Sequence, residues 1–229
     1  MKGLLIDLGN TVWYNKNFDF ELGLEAVYNE AINPTICLEE LKSFARQIRK
    51  NTYDNREEKE ISFEFYLNYL TKYFNLEFNK SNEELEYIFA SNCENIELIN
   101  GIVDVLKFCK DENIKVIALS NSSFSSKTLT RQAKDLGIDQ YFSLIISSGD
   151  HMFRKPSLEY FNLGIKAMGL DKTDIVFLGN DFYFDIYGAS RAGLNSIWYN
   201  EQKIRGLSSK GYLDISNYQE LLDYLKIRK

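Results

Sequence analysis

The chain of 229 residues contains 27 Lys and Arg, 33 Asp and Glu and a single His, for a formal net charge of −6. One His excludes a His-rich zinc site and the HExxH helix of the metalloproteases. An acidic chain also lacks the positive face that sequence-independent binding of DNA or RNA requires, so we expect no nucleic-acid partner.

Short unbroken apolar runs predict buried strands. These runs cover residues 4–6, 116–119, 144–146, 175–178 and 196–199. From the second run onward, a helical pattern separates each run from the next, and strands that alternate with helices form a parallel sheet covered on both faces. The sequence therefore predicts an α/β fold, a doubly wound, Rossmann-like parallel sheet.

The region between the first and second runs predicts helices only. No strand-like run appears between residue 11 and about residue 99, and apolar residues recur there at helical spacing. The predicted faces are Leu41, Phe44, Ala45 and Ile48, then Phe63, Tyr66, Leu67, Leu70, Tyr73 and Phe74, then Leu85, Ile88, Phe89 and Cys93, with a less regular helix near 18–32. We interpret the charged cluster at residues 57–60 as the solvated start of a helix. We therefore expect a core domain of residues 1–14 and 98–229 with an inserted helical-bundle cap of residues 15–97.

The cysteines and the apolar segments indicate the cellular compartment in which we expect the protein. Cys37, Cys93 and Cys109 are odd in number and widely spaced, which is typical of small core residues in a reducing compartment. No apolar run approaches a signal peptide or the roughly 20 residues of a membrane span. We expect a cytoplasmic protein without a membrane partner.

The residues that follow the predicted strands carry the candidate chemistry, because ligands of an open parallel sheet bind beyond the carboxyl ends of its strands. Asp7-Leu8-Gly9-Asn10-Thr11 follows the first run, Ser120-Asn121 the second, Arg154-Lys155-Pro156 lies in the loop after the third, and Gly179-Asn180-Asp181 with Asp185 follows the fourth. Taken singly, each is equally typical of a turn or a helix cap. Together at one edge, they suit metal-assisted transfer of an anionic group.

These four segments, in this order, resemble the motifs of the haloacid dehalogenase-like hydrolase superfamily. The family has D-x-D-x-[TV], a strand-ending Ser or Thr, a Lys often before Pro, and an acidic motif, which correspond here to Asp7–Thr11, Ser120, Lys155 and the segment Gly179-Asn180-Asp181 with Asp185. The resemblance spans nearly the whole chain, and the inserted helices are similar to that family's helical cap.

The resemblance implies a mechanism. Asp7 would attack phosphorus and form an aspartyl-phosphate, while Mg²⁺ neutralises charge on the phosphoryl group. Ser120 would donate a hydrogen bond to a phosphoryl oxygen and Lys155 would supply positive charge. Phosphate binding is completed by Leu8, Gly9 and Asn121, and the implied metal ligands are Asp7, the carbonyl of Gly9, and Asn180 or Asp181. Asp185 would orient Lys155 or a metal-bound water.

Two positions depart from the family pattern. Gly9 stands where family phosphatases carry a second Asp, the general acid and base, whose proton transfer contributes typically 10²–10⁴-fold. Sugar-1-phosphate phosphatases are among the relatives that share a D-x-G-N start. Asn180 stands where the usual metal-binding Asp falls, so the site loses a negative charge unless the adjacent Asp181 binds the metal.

Three functions are compatible with this sequence. The first is a Mg²⁺-dependent phosphatase of a small phosphorylated metabolite. The second is a dehalogenase or phosphonatase on the same fold, although dehalogenases of this family have Tyr-Gly where Gly9-Asn10 stands. The third is a non-catalytic protein that binds an anion or metabolite. We favour the first because the nucleophile, the hydroxyl, the lysine and the aspartates after the fourth strand are all present. Trp13, Tyr14 and Asn15 are candidates to face the substrate, and Trp13 is equally typical of packed core.

Overall fold

The computed structural model describes residues 1–53, 56–207, 209 and 211–227. The strands are β1 (Gly3–Ile6), β2 (Trp13–Phe18), β3 (Glu94–Leu98), β4 (Lys115–Ser120), β5 (Leu144–Ser147), β6 (Ile175–Gly179), β7 (Asn195–Tyr199) and β8 (Tyr212–Ile215). Six of them form one parallel sheet in the spatial order β5-β4-β1-β6-β7-β8. The five predicted runs are all strands of this sheet. The edge strand β8 was not predicted, because most of its residues are only half-buried or exposed and form no apolar run.

Helices cover both faces of this sheet. They are α1 (Phe20–Tyr28), α2 (Leu38–Tyr53), α3 (Phe63–Tyr73), α4 (Asn82–Cys93), α5 (Ile102–Asp111), α6 (Ser126–Asp135), α7 (Leu158–Met168), α8 (Gly188–Arg191) and α9 (Tyr218–Ile227), with a π-helix at Phe182–Tyr187 leading into α8. Leu4 and Ile6 face a core shared with α5, α6 and α9, whereas Leu5 faces a core shared with α7 and α8. This alternation along β1 confirms the doubly wound α/β fold, since each strand residue is buried on one face or the other.

The inserted region between β1 and β4 contains α1 to α4, as the apolar spacing predicts, but it also contains two strands. β2 and β3 pair antiparallel as a separate two-stranded sheet. The prediction of a strand-free region from residue 11 to 99 was therefore wrong. Its cause is exposure: apart from Trp13, the residues of β2 and β3 are half-buried or exposed, so neither strand contains the apolar run that reveals a buried strand.

The inserted helices pack on the sheet domain through aromatic side chains. The Phe63 ring of α3 lies 4.4 Å from that of Phe89 in α4 and 5.7 Å from that of Phe124, which precedes α6. All three belong to the same buried cluster as Leu4 and Ile6. The division into 1–14 with 98–229 and 15–97 stays a prediction.

Further local predictions were wrong. Residues 57–60 do not start a helix, since α3 begins at Phe63 behind the cap Ser62, and the side chain of Glu60 is completely buried. Tyr73 is 61% exposed, although its ring stacks on Phe44. Cys93 and Cys109 are buried and free as expected, but Cys37 is exposed. Within the described part of the chain, no helix combines the length and the apolar character needed to cross a bilayer.

Candidate active site

The strand order places the candidate residues side by side. β1 is central, with β4 on one side and β6 on the other. Asp7 and Asn180 directly follow β1 and β6, and Ser120 is the last residue of β4, so all three lie at the carboxyl ends of adjacent strands. The backbone N–H of Asp7 donates to the carbonyl of Leu178 at 2.9 Å, which continues the β1–β6 pairing past the end of β1. Asp7 is only 6% exposed. Its carboxylate is therefore fixed in a largely desolvated position.

Lys155 joins two buried carboxylates. Its Nζ lies 2.6 Å from Oδ1 of Asp7 and 2.6 Å from Oδ1 of Asp185. Burial lowers the pKa of Lys155, but the attraction of Asp185 and Asp7 outweighs it, and the pKa lies above the ordinary lysine value. Burial raises the pKa of Asp185 to about 7 against the attraction of Lys155. Lys155 is thus a fixed positive charge in contact with the candidate nucleophile.

Thr11 brings the Asp7 carboxylate and the Asn180 amide together. Its Oγ1 lies 3.1 Å from Oδ2 of Asp7 and 3.2 Å from Oδ1 of Asn180. The Asn180 backbone is fixed in turn, because Nε1 of Trp198 donates to its carbonyl at 2.9 Å. This role of Thr11 was not predicted, although its place in the first motif was the available signal. Two oxygens from different strands therefore meet at one hydroxyl.

Ser120 at the end of β4 and Asn121 directly after it make different contacts. Within the described residues, no group hydrogen-bonds the Ser120 hydroxyl, whereas its carbonyl accepts from the Tyr160 hydroxyl at 2.7 Å. The Asn121 side chain donates to the Lys155 carbonyl at 3.0 Å and accepts from the Lys155 N–H at 2.8 Å. The Asn121 amide therefore positions Lys155, which the sequence did not predict, and the contact of Asn121 with phosphate stays a prediction.

The turn after Asp7 has space for a side chain at Gly9 and two backbone N–H groups that can donate hydrogen bonds. Among the described residues, no acceptor bonds the backbone N–H of Leu8 or Gly9, so both can donate to an anion. A Cβ built on Gly9 meets no atom within 4 Å. The adjacent Asn10 has a φ of 56°, in the left-handed region that Asn tolerates. No steric reason explains a glycine at position 9, so a side chain fits there.

The two carboxylates after β6, those of Asp181 and Asp185, make different contacts. Oδ1 of Asp181 caps the π-helix by accepting from the N–H of Phe184 at 2.7 Å. Oδ2 of Asp185 accepts from the N–H of Asp181 at 2.9 Å, while its Oδ1 holds Lys155. Asp185 therefore ties the acidic segment to Lys155.

The donors at this edge suit a hard cation. Across the described ranges, no group of three or more His, Cys, Asp and Glu side chains is placed to hold a metal ion. The available donors are oxygens of Asp7, Gly9, Asn180 and Asp181, and Mg²⁺ prefers oxygen ligands and is commonly bound by one or two carboxylates together with water and substrate phosphate. The donor chemistry fits Mg²⁺, with fewer carboxylates than a dedicated protein cage would have.

The other sequence candidates lie apart from this charge network. Trp13 is packed in the core. The Tyr14 hydroxyl donates to Glu97 at 2.8 Å, and Oδ1 of Asn15 accepts from the backbone of β3 at Asn95. These three side chains therefore serve packing and the β2–β3 sheet. His151 is exposed, with its ring 6.2 Å from that of Tyr160.

The sequence is similar to those of known hydrolases. Residues 1–193 match the family model of the haloacid dehalogenase-like hydrolases. A glyceraldehyde 3-phosphate phosphatase of Methanocaldococcus jannaschii is 33% identical over 93 residues, which are 40% of this chain and 41% of that protein. The chain spans about half the length, or less, of the curated relatives that it matches.

Solved structures share the fold over the whole chain. A 2-haloacid dehalogenase from Pseudomonas syringae superposes with a TM-score of 0.68 at 18% identity, covering 100% of both chains. The magnesium-bound HAD-hydrolase YfnB from Bacillus subtilis gives a TM-score of 0.60 at 21% identity, covering 98% of both chains. At these identities, the similarity establishes the fold alone.

Proposed function

The chain belongs to the haloacid dehalogenase-like hydrolases, and from that premise we propose that it is a Mg²⁺-dependent hydrolase of small phosphomonoesters with Asp7 as nucleophile. The observation that carries the proposal is the contact of the buried Lys155 ammonium with Asp7 at 2.6 Å. On the adjacent strand β4, Ser120 has a hydroxyl that no other group of the described residues hydrogen-bonds. A carboxylate, an ammonium and free donors at one strand edge suit an anionic ester. The relative from Methanocaldococcus jannaschii, named as a phosphatase, supports the same chemistry.

The chain's own residues divide the proposed reaction between them. An oxygen of Asp7 attacks phosphorus, the bond to the leaving alcohol breaks, and water then attacks the aspartyl-phosphate to release phosphate and regenerate the carboxylate. Lys155 holds Oδ1 of Asp7 and orients the carboxylate. The Ser120 hydroxyl and the N–H groups of Leu8 and Gly9 bind the phosphoryl oxygens.

Mg²⁺ is proposed as the cofactor, held by the Asp7 carboxylate, the Gly9 carbonyl and Asn180 or Asp181. When bound, it neutralises negative charge on the phosphoryl group and orients it for attack. The amide at position 180 and the capping contact of Asp181 both reduce the negative charge that is free for the ion. We therefore expect weaker binding of Mg²⁺ than in a site with an additional free carboxylate.

Gly9 restricts the substrates of the proposed enzyme. Without an acid at that position, an alkoxide leaving group has to take its proton from water, from the substrate or from the inserted helices acting as a cap. Proton transfer by a positioned acid contributes typically 10²–10⁴-fold, so esters with acidic leaving groups are favoured. A cleft of about 530 Å³ beside Asn10, Asn180 and Asp181 has room for a small metabolite.

A dehalogenase is the second candidate, because Gly9 removes the phosphatase acid. Phosphonatase chemistry has less support, since it needs a lysine that readily loses its proton. Lys42 donates to Glu25 at 2.9 Å and Lys16 pairs with Glu97, and these hydrogen bonds raise the pKa of both lysines. Cytoplasmic location and a small-metabolite substrate belong to the same proposal.

A substrate panel tests the proposed function. Phosphate esters, acyl phosphates, 2-haloacids and phosphonoacetaldehyde are assayed with and without Mg²⁺ on the wild type and on Asp7→Asn. We expect Mg²⁺-dependent phosphate release that Asp7→Asn abolishes. Release that survives in Asp7→Asn, or that no phosphate substrate produces, contradicts the proposal, and halide release from a 2-haloacid without metal supports the dehalogenase instead.

A further inference from the structure

Residues 56–62, which precede α3, contact the loop that carries Lys155. Lys59 forms an antiparallel bridge with Phe153. The N–H of Glu60 donates to the carbonyl of Met152 at 3.1 Å, and the N–H of Arg154 donates to the carbonyl of Glu58 at 3.0 Å. The insertion is therefore hydrogen-bonded to the residue immediately before Lys155.

Glu60 places a buried carboxylate at this crossing. Its side chain is 0% exposed. Oε2 accepts from the Ser148 hydroxyl at 2.7 Å and lies 3.5 Å from Nε of Arg154. Oε1 accepts from Arg56 at 3.0 Å and from the Ser123 hydroxyl at 3.4 Å. A carboxylate removed from water is stable only when charged and hydrogen-bonding partners satisfy it, and both oxygens of Glu60 are satisfied here.

The partners of Glu60 are connected to the candidate active site by hydrogen bonds. The Ser148 hydroxyl accepts from the N–H of Ser122, which follows Ser120 and Asn121 in the loop after β4. Asn121 in turn brackets the backbone of Lys155 through two hydrogen bonds. Glu60 thus connects the loop with the proposed phosphate-binding hydroxyl to the loop with the lysine.

The contacts of Glu60 are those of a positioning residue and not those of a catalytic acid. Both oxygens of Glu60 already accept hydrogen bonds or ion pairs from the protein, so neither is left to give a proton to a leaving group. Its influence on the reaction has to pass through its partners in the sheet domain, which are Ser123, Ser148 and Arg154. The charged cluster at residues 57–60 predicts a solvated surface, where Glu60 would have no such influence.

We propose that Glu60 is a positioning residue, which fixes Arg154 and Ser148 and thereby holds Lys155 and the loop after Ser120 in the geometry that binds a phosphoryl group. The inference rests on the proposed function of the same site. It assigns to the inserted helices a direct part in building the anion site.

Glu60→Gln tests this role against Glu58→Gln as the matched control. Glu58 is two residues away and its side chain makes an exposed ion pair with Arg191 at 3.6 Å. For the ester that the wild type hydrolyses fastest, we expect kcat to fall at least 10-fold in Glu60→Gln, with less than a twofold change in Glu58→Gln. Calorimetric binding of inorganic phosphate is expected to weaken at least fivefold in Glu60→Gln only. Equal kcat and equal phosphate affinity in the two folded variants overturn the proposal.

Ser148→Ala keeps the test decisive if Glu60→Gln does not fold. It removes the hydroxyl between Glu60 and Ser122 from the side of the sheet domain, and we expect the same pattern of lost kcat and lost phosphate affinity. Where both single variants fold, their effects in the double variant should be far from additive, because both changes break one chain of contacts. Wild-type affinity in Ser148→Ala, or additive effects in the double variant, contradict the proposal.

The phosphate measurement also separates the two proposals. If the wild type binds inorganic phosphate but hydrolyses no ester, the proposed function fails, and the role of Glu60 is still decided by whether Glu60→Gln binds phosphate more weakly than Glu58→Gln. If the wild type is active and Glu60→Gln is equally active, only the role of Glu60 fails. A wild type that neither hydrolyses an ester nor binds phosphate contradicts both.

Discussion

Replacing Lys155 by Met should destabilise the protein in a pH-dependent way. The substitution keeps a long unbranched side chain, and the ammonium lies 5.3 Å from the Phe177 ring, so Met has an aromatic neighbour to pack against. Among the described residues, only the Lys155 ammonium contacts Asp7 and Asp185, whose side chains are 9% and 1% exposed, and the substitution removes it. Breaking a buried ion pair by removing one partner costs about 3–5 kcal/mol, and we expect that loss at pH 8.

The pH dependence follows from Asp185. Its folded-state pKa of about 7 lies above the unfolded value near 3.9, so the folded protein binds more protons than the unfolded chain between these pH values. The contribution of this carboxyl to stability is therefore present below about pH 4 and is lost as the pH rises through 7. Without Lys155 the pKa of Asp185 rises further. At pH 5.5 the carboxyl is protonated in the variant, and the loss should be smaller by about 1.4 kcal/mol or more, the equivalent of one pKa unit.

Urea unfolding at pH 5.5 and pH 8 measures both quantities. Lys2→Met is the control, because Lys2 pairs with Asp174 at 2.8 Å on an exposed surface and should change the midpoint little at either pH. An equal loss of stability at the two pH values refutes the assignment of the titration to Asp185. A loss no larger than that of Lys2→Met refutes the buried charge network itself.

Three further substitutions test separate parts of the site. In Gly9→Asp the new side chain has room, and we expect hydrolysis of alkyl phosphates to be at least 10-fold faster than in Gly9→Asn, because only the Asp offers a proton. Equal rates of the two variants would show that the missing acid does not limit turnover. Asn180→Asp adds a negative charge beside Asp7, so the Mg²⁺ concentration for half-maximal activity should fall several-fold, and an unchanged Mg²⁺ titration contradicts the proposed ligand. Asn121→Leu removes both hydrogen bonds to the Lys155 backbone, so the free energy of unfolding in urea should fall by about 1–3 kcal/mol and kcat should also fall. An unchanged kcat would show that Asn121 does not position Lys155 for the reaction.

The sequence predicts the sheet and the strand-end residues because both have local signals. A buried parallel strand is a short apolar run, and the residue after it lies at the ligand-binding edge whatever the rest of the chain does. Asp7, Ser120 and Asn180 are placed by this argument alone. β2 and β3 lack the signal because they are not buried, so their polar residues are indistinguishable from a loop.

Contacts between distant segments could not be derived in the same way. Lys155 is 148 residues from Asp7, and only the fold sets their separation of 2.6 Å. Glu60 lies in a charged cluster that is typical of a solvated surface, and its burial depends on Ser148, 88 residues away, and on Arg154. A charged side chain can be buried when residues distant in the sequence pair with it, and a local sequence pattern does not identify those residues.

The most direct test of the central claim is to identify the residue that becomes phosphorylated. The wild type is mixed with its fastest ester and Mg²⁺, quenched in acid during turnover and reduced with borohydride, which converts an aspartyl-phosphate to homoserine. Peptide mass analysis should then find homoserine at position 7, only when substrate is present. Phosphate release with an unmodified Asp7, or with homoserine at Asp181 or Asp185 instead, would contradict Asp7 as the nucleophile.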